Sequence, residues 1–283
     1  MADIAIPALY ALLIWWLGTG IVLYVARLPA RTYRTSLALG AIIATAAIVV
    51  VAATADTASV SGAYMAFTAA IVVWGFIELT FLTGFVLGTN RAEASPEATG
   101  WARMSHAIAA IIHHELALLA GGAVILVAGF AAQNQAAIWT YAVLWLMRLS
   151  AKLNLFFGVP NLHDELLPAP LRHLRGHFRR GPANPFLPAS ILLPLFAAAY
   201  LVVSAISTAG SFAATTSMLL AALLALAALE HVFMLIPLPV MNLWNWRRHS
   251  VATSDAPISR TAIEPAPACQ GPKVCASITR RGP

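Results

Sequence analysis

The amino-acid sequence predicts an all-α, polytopic membrane protein, built as a bundle of about seven transmembrane helices. Composition is the first reason: 60% of the 283 residues are hydrophobic and 10% are charged, whereas an average soluble domain has about 25% charged residues. Patterning is the second reason, because the apolar residues form long continuous runs. Such runs are typical of membrane-spanning helices and lack the two-residue alternation of barrel strands.

Seven apolar runs reach the length of about 18–20 residues that a helix needs to cross a bilayer. In chain order, the predicted spans are residues 7–26, 37–54, 63–87, 108–131, 138–157, 189–207 and 212–240. The first is expected to be a retained helix rather than a secretory signal, because Asp3 precedes it and no Lys or Arg does. The transmembrane domain is predicted over residues 1–249, and the composition of residues 250–283 predicts a mobile cytoplasmic tail.

Lysine and arginine give the predicted orientation. If the N-terminus is external, all 17 basic residues belong to the cytoplasmic half of the protein, with Arg148 and Lys152 near the inner end of span five, as the positive-inside bias requires. We therefore predict a periplasmic N-terminus and a cytoplasmic C-terminus in a bacterial cytoplasmic membrane. The net charge of +6 reflects this orientation and contact with anionic lipids. It does not indicate nucleic-acid binding, because no recognition module accompanies it.

The loop over residues 158–188 is the longest predicted connection and carries a basic amphipathic segment. Leu171, Leu174 and Phe178 recur at helical spacing, with arginines between and beside them. This pattern predicts a short interfacial helix on the inner leaflet, with its apolar side toward the lipid; a solvated basic loop is the alternative. The arginines expected to contact lipid or a partner protein are Arg172, Arg175, Arg179 and Arg180.

Acidic and histidine side chains lie inside three of the predicted spans. A charge in hydrocarbon costs about 2.5–3.5 kcal/mol on insertion scales, so these residues are candidates for function. With the predicted topology, the acids of spans three, four and seven all fall in the inner half of the bilayer and can share one pocket. The candidate ligand-binding residues are Glu78, His113, His114, Glu115, Glu230 and His231. After span five, His163, Asp164 and Glu165 either cap this pocket or form a hydrated acidic cluster.

Four chemistries remain open for this set of residues. One imidazole can ligate the metal of a tetrapyrrole pigment. A dimetal site can use Glu78, His114, Glu115, Glu230 and His231, although paired Glu-x-x-His motifs are missing. The carboxylates can serve transport, although no inverted repeat is evident. They can also be hydrogen-bonded groups that hold the helices together, which suits a protein that works through its surfaces.

Several short segments, taken in their order along the chain, carry a family resemblance. They are residues 15–20, 74–84, 113–116, 153–168, 229–231 and 243–246. Together they resemble the PuhE-like family of photosynthetic complex assembly proteins, which come from photosynthesis gene clusters of purple phototrophic bacteria. The resemblance extends from about Pro7 to Trp246 and omits the tail. It implies a part in making reaction-centre and core light-harvesting complexes, or in controlling their bacteriochlorophyll supply, and it carries over no catalytic residue.

The leading hypothesis is therefore a non-catalytic assembly or regulatory factor of the intracytoplasmic photosynthetic membrane. Its expected partners are reaction-centre or core antenna polypeptides, and its expected ligand is bacteriochlorophyll or a precursor. The alternative hypothesis is a membrane metalloenzyme that acts on a tetrapyrrole or a carotenoid through a metal pair.

Overall fold

The described part of the chain is a helical membrane bundle, as the sequence predicts. The computed structural model describes residues 2–92, 98–162 and 167–237. It contains seven α-helices, each matching one predicted span: α1 Ala2–Ala26, α2 Tyr33–Thr54, α3 Val60–Leu82, α4 Gly100–Ala128, α5 Ala136–Phe157, α6 Phe186–Ser207 and α7 Phe212–Phe233. Two 3-10 helices, Ala30–Thr32 and Ala169–His177, lie in the connections.

Contacts divide the chain into two units, Met1–Trp244 and Asn245–Pro283. All of the described residues belong to the first unit. The predicted mobile tail over residues 250–283 lies outside the described residues, so its mobility stays a prediction.

Six of the seven described α-helices are long and apolar enough to cross a membrane, and α5 is the exception. Its 22 residues are sufficient in length, but Arg148, Ser150, Lys152 and Asn154 make its second half polar. These side chains face other helices, as described below, so the polarity of α5 belongs to the interior of the bundle. Membrane crossing by α5 stays a prediction.

Two predicted spans are shorter in the structure. The third was predicted to reach residue 87, but α3 ends at Leu82. Gly84 follows with a φ of 77°, a left-handed conformation that glycine adopts without a Cβ penalty and that commonly ends helices. The seventh was predicted to reach residue 240, but α7 ends at Phe233, shortly before Pro237, and proline disfavours helix in the residue before it.

Helices α3 and α7 form the centre of the bundle. Within their most apolar windows, 61% and 56% of the residues are buried, against 17–22% in α1, α2, α4 and α6. Helix α3 packs against α1, α2, α4, α5 and α7, while α7 also packs against α1, α5 and α6. Polar side chains of α3 and α7 are therefore the ones most enclosed by protein.

The connection after α3 packs directly on the backbone of α4. A Cβ added at Gly88 would lie 2.0 Å from the carbonyl oxygen of Ala109, so only glycine fits this contact. The same carbonyl accepts a hydrogen bond from the Asn90 N–H at 3.2 Å, and the Leu87 carbonyl accepts one from the His114 N–H at 3.2 Å. This docking fixes α4 next to the end of α3, at the level of His114.

The predicted interfacial helix in the long loop is a 3-10 helix, and its apolar side packs on protein. Leu171, Leu174 and His177 are buried, because side chains three apart are eclipsed in a 3-10 helix. Leu171 and Leu174 pack with Phe81 and Leu87 rather than facing the lipid. The apolar side of this segment therefore contacts protein, and its position at the membrane interface stays a prediction. The four candidate arginines of this loop are all exposed, and their lipid or partner contacts stay predictions.

Candidate functional site

An ion pair joins α3 to α5 in the interior of the bundle. Arg148 Nη2 donates a hydrogen bond of 3.1 Å to Glu78 Oε2. The Glu78 side chain is 11% exposed, whereas the Arg148 side chain is 40% exposed. The carboxylate therefore lies behind its partner, and Arg148 is accessible from outside the bundle.

His114 of α4 lies on the other side of Glu78. Its Nε2 is 3.8 Å from Glu78 Oε1, which is longer than a hydrogen bond. The ring stacks on Phe81 with centroids 4.1 Å apart and an interplanar angle of 20°. The side chain is fully buried, and neither ring nitrogen has a hydrogen-bond partner within the described structure. His114 is thus held by stacking and by its backbone rather than by its nitrogens.

A second ion pair joins α4 to α5. Lys152 Nζ donates to Glu115 Oε1, and both side chains are less than one-fifth exposed. Arg148 and Lys152 are four residues apart, so they lie on the same face of α5. This face lies toward both α3 and α4 and neutralises one acidic residue on each. The geometry therefore supports the structural role for Glu78 and Glu115, in which paired charges hold helices together.

The two candidate residues of α7 have different surroundings. His231 is fully buried, and its Nδ1–H donates to the Ala227 carbonyl at 2.8 Å. Its Nε2 accepts from Ser150 Oγ at 3.1 Å, so both nitrogens are used. Glu230 is exposed and interacts electrostatically with Arg148 and Glu78. Arg148 therefore interacts with a buried acid, Glu78, and an exposed one, Glu230.

The remaining candidates are apart from this cluster. His113 neighbours His114 in sequence but is exposed on the outer side of α4. His163, Asp164 and Glu165 fall within residues 163–166, outside the described part of the chain, so the predicted cap of the pocket stays a prediction. We call Glu78, His114, Glu115, Arg148 and Lys152, together with the adjacent Glu230, the intramembrane cluster.

The cluster contains polar atoms that the described residues leave without a partner. They are Glu78 Oε1, both ring nitrogens of His114 and Arg148 Nε. Buried polar atoms are nearly always hydrogen-bonded in proteins, and each exception calls for an explanation. The concentration of such atoms around Glu78 indicates that this part of the bundle can hydrogen-bond an additional polar group.

A metal pair does not fit the residues as the structure places them. Among the described residues, which include all five proposed ligands, no group of three or more His, Cys, Asp or Glu side chains is positioned to hold a metal ion. Two of the acids instead pair with Arg148 and Lys152, and His231 uses both nitrogens. The dimetal hypothesis therefore has no support from this geometry.

Sequence reasoning missed Arg148 and Lys152 as members of the site. Both had been treated as markers of the cytoplasmic side. The sequence contained a signal for a shared role: Arg148 and Lys152 are four residues apart on one predicted helix, and Asn154 follows them as a further polar residue. That spacing predicts one polar face on α5, and acids on other spans are the natural partners for such a face.

The chain matches one known protein family and is similar to one known protein. Residues 1–255 match the family described as "Protein of unknown function (DUF3623)". The chain is also 36% identical to an uncharacterised 30.4 kDa protein in the puhA 5′ region of Rhodobacter capsulatus, over 264 residues that cover 92% of this chain and 95% of that protein. No solved structure matches the chain significantly.

Proposed function

This chain belongs to the DUF3623 family. We propose that it is a membrane factor for photosynthetic complexes, which assists the assembly of the reaction centre and core antenna or their bacteriochlorophyll supply. The observation that carries the proposal is the relative from the puhA 5′ region of Rhodobacter capsulatus. It agrees with the resemblance of the ordered segments to an assembly family from photosynthesis gene clusters.

The intramembrane cluster supports a role in binding rather than catalysis. Its two ion pairs fix α3, α4 and α5 relative to one another, and this rigidity is what a binding surface needs. Arg148 and Glu230 are both accessible from outside the bundle. A partner helix or a pigment that reaches them finds guanidinium donors at one residue and a carboxylate acceptor at the other. Polar side chains of this kind can hydrogen-bond across a helix–helix interface.

His113 is the intramembrane histidine best placed to ligate the metal of a pigment. His114 is enclosed and stacked on Phe81, and His231 uses both ring nitrogens. His113 is exposed on α4, so its imidazole is accessible from outside the bundle. Bacteriochlorophyll or a precursor is accordingly the proposed ligand.

The proposed function is tested by deleting the gene in its own phototrophic host. We expect reduced absorbance of reaction-centre and core antenna complexes in isolated membranes, restored by the wild-type gene. A deletion strain in which the amounts of both complexes and of bacteriochlorophyll equal those of the parent would refute the proposal.

The pigment assignment has a separate test. His113→Ala should lower the bacteriochlorophyll or precursor that co-purifies with the protein from phototrophic cells, measured as pigment per polypeptide by absorbance. His106→Ala is the matched control, because His106 is also an exposed histidine of α4. Equal pigment in both variants would exclude His113 as the ligand, while leaving the assembly role to the deletion experiment.

A further inference from the structure

A cavity of about 420 Å³ opens where α4 begins. Its walls include Thr99 and Gly100 at the start of the helix and the side chains of Arg103, Phe178 and Arg179. None of the described residues that line it is acidic. The end of α5 lies beside it, since Arg103 contacts Phe156. The cavity is therefore at one end of the bundle, away from the intramembrane cluster.

Two guanidinium groups meet at this cavity. Arg103 is held firmly, because its Nη2 donates to the carbonyls of Phe156 at 2.9 Å and His177 at 3.0 Å, and the group lies 4.0 Å over the Phe156 ring. Arg179 is anchored through its backbone, whose N–H donates to the Leu155 carbonyl at 2.9 Å. The two positive charges repel each other. An anion between them would remove this repulsion.

The start of α4 adds donors to the same cavity. Thr99 is the N-cap residue, but its side chain makes no capping hydrogen bond. The first backbone N–H groups of a helix have no partner within the helix and carry a partial positive charge, which favours anions. At Gly100, a Cβ would meet no atom within 4 Å, so the approach to these groups is open.

A buried histidine lies beside the wall of the cavity. His177 lies between Gly176 and Phe178, both of which line the cavity. It is 4% exposed, and neither of its ring nitrogens has a partner among the described residues. Its carbonyl accepts a hydrogen bond from Arg103. The described residues therefore leave an unsatisfied polar side chain next to the two arginines.

We propose that this cavity binds a phosphate group through Arg103, Arg179 and the first backbone N–H groups of α4. Arginine matches phosphate geometry with two parallel donors, and helix N-termini supply further donors to the same kind of anion. The volume accommodates a phosphate with the small group esterified to it. This site is independent of the proposed function. An anionic phospholipid headgroup and a soluble phosphate ester share the required chemistry.

The test compares two arginine variants of the full chain in nanodiscs. Arg179→Gln removes a cavity guanidinium, and Arg34→Gln removes an exposed arginine at the start of α2 that does not line the cavity. Arg179 is preferred to Arg103 because the Arg103 side chain also makes structural hydrogen bonds. Native mass spectrometry counts the phosphatidylglycerol retained in mixed phosphatidylglycerol and phosphatidylcholine discs, and calorimetry in phosphatidylcholine discs measures the binding of inorganic phosphate and glycerol 3-phosphate.

We expect Arg179→Gln to weaken the binding of one of these phosphate probes about tenfold, with Arg34→Gln within about twofold of wild type. Loss confined to phosphatidylglycerol identifies a lipid site, and loss confined to inorganic phosphate or glycerol 3-phosphate identifies a soluble ligand. Equal loss in the two variants would show general surface charge and overturn the proposal. Unchanged binding of every probe in Arg179→Gln would also overturn it.

Discussion

The Glu78–Arg148 ion pair gives the sharpest prediction of stability. Arg148→Met removes the cation and keeps a long apolar side chain, so it leaves the Glu78 carboxylate in the bundle without its 3.1 Å partner. Breaking a buried ion pair from one side costs about 3–5 kcal/mol. Because 40% of the Arg148 side chain is accessible, screening lowers the expectation to about 2–3 kcal/mol.

The reverse single substitution should cost less. Glu78→Gln keeps the shape of the side chain and an acceptor for Arg148, whose guanidinium also interacts with Glu230. We expect a loss of about 1 kcal/mol. In the double variant no charge is left unpaired at this contact, so its loss should be about 1 kcal/mol rather than the sum of the two single losses. The coupling free energy is then about 2–3 kcal/mol.

The assay is equilibrium unfolding in mixed detergent micelles, with the fraction of dodecyl sulfate raised and tryptophan fluorescence as the signal. Arg172→Met is the control, because it removes an exposed loop arginine and should change the free energy of unfolding by less than about 0.5 kcal/mol. If the two single losses add in the double variant to within about 0.5 kcal/mol, Glu78 and Arg148 do not stabilise each other and the reasoning is refuted.

Three further predictions concern packing, hydrogen bonding and pH. Gly88→Ala should cost at least about 2 kcal/mol in unfolding free energy, because its Cβ would meet α4 backbone at 2.0 Å; Gly181→Ala, with open space around it, is the control, and similar melting of both variants would contradict the contact. Ser150→Ala should cost about 1 kcal/mol by removing the donor to His231, whereas unchanged stability would show that the bond contributes nothing. Burial and the neighbouring basic groups lower the pKa of His177, so the unfolded loop binds a proton more readily than the folded loop. The folded loop therefore loses stability as pH falls below about 6.5, and protease cleavage of the loop should increase with acidification. If His177→Gln shows the same pH profile of cleavage as wild type, His177 is not the cause.

Much of the architecture follows from local properties of the sequence. A run of some twenty apolar residues must satisfy its own backbone hydrogen bonds in lipid, and a helix does this without any other segment. This is why each described α-helix matches one predicted run. The ends were harder to predict, because apolar residues continue past Leu82 although Gly84 and the docking of Gly88 terminate and redirect the chain.

The acidic residues of the site were predicted from the sequence, whereas its basic residues were missed. A carboxylate inside a span is costly wherever it faces, so Glu78 and Glu115 were candidates from sequence alone. Arg148 and Lys152 looked like cytoplasmic markers, and only the rotation of α5 against α3 and α4 shows them to be partners of those acids. The rotation of α5 could not be predicted from the sequence, because residue spacing on one helix does not specify which residues of a neighbouring helix it faces.

The long loop shows the same division. Its alternation of leucine and arginine predicted a short helix, and a helix is present. The sequence could not decide that the helix has three residues per turn and therefore buries His177 instead of Phe178. The choice depends on Phe81 and Leu87, which receive Leu171 and Leu174 from a distant part of the chain. By itself, the sequence determined that the chain forms membrane helices and which of their residues are costly to bury; the tertiary structure decided which residues compensate that cost, because pairing across helices depends on contacts that no local pattern encodes.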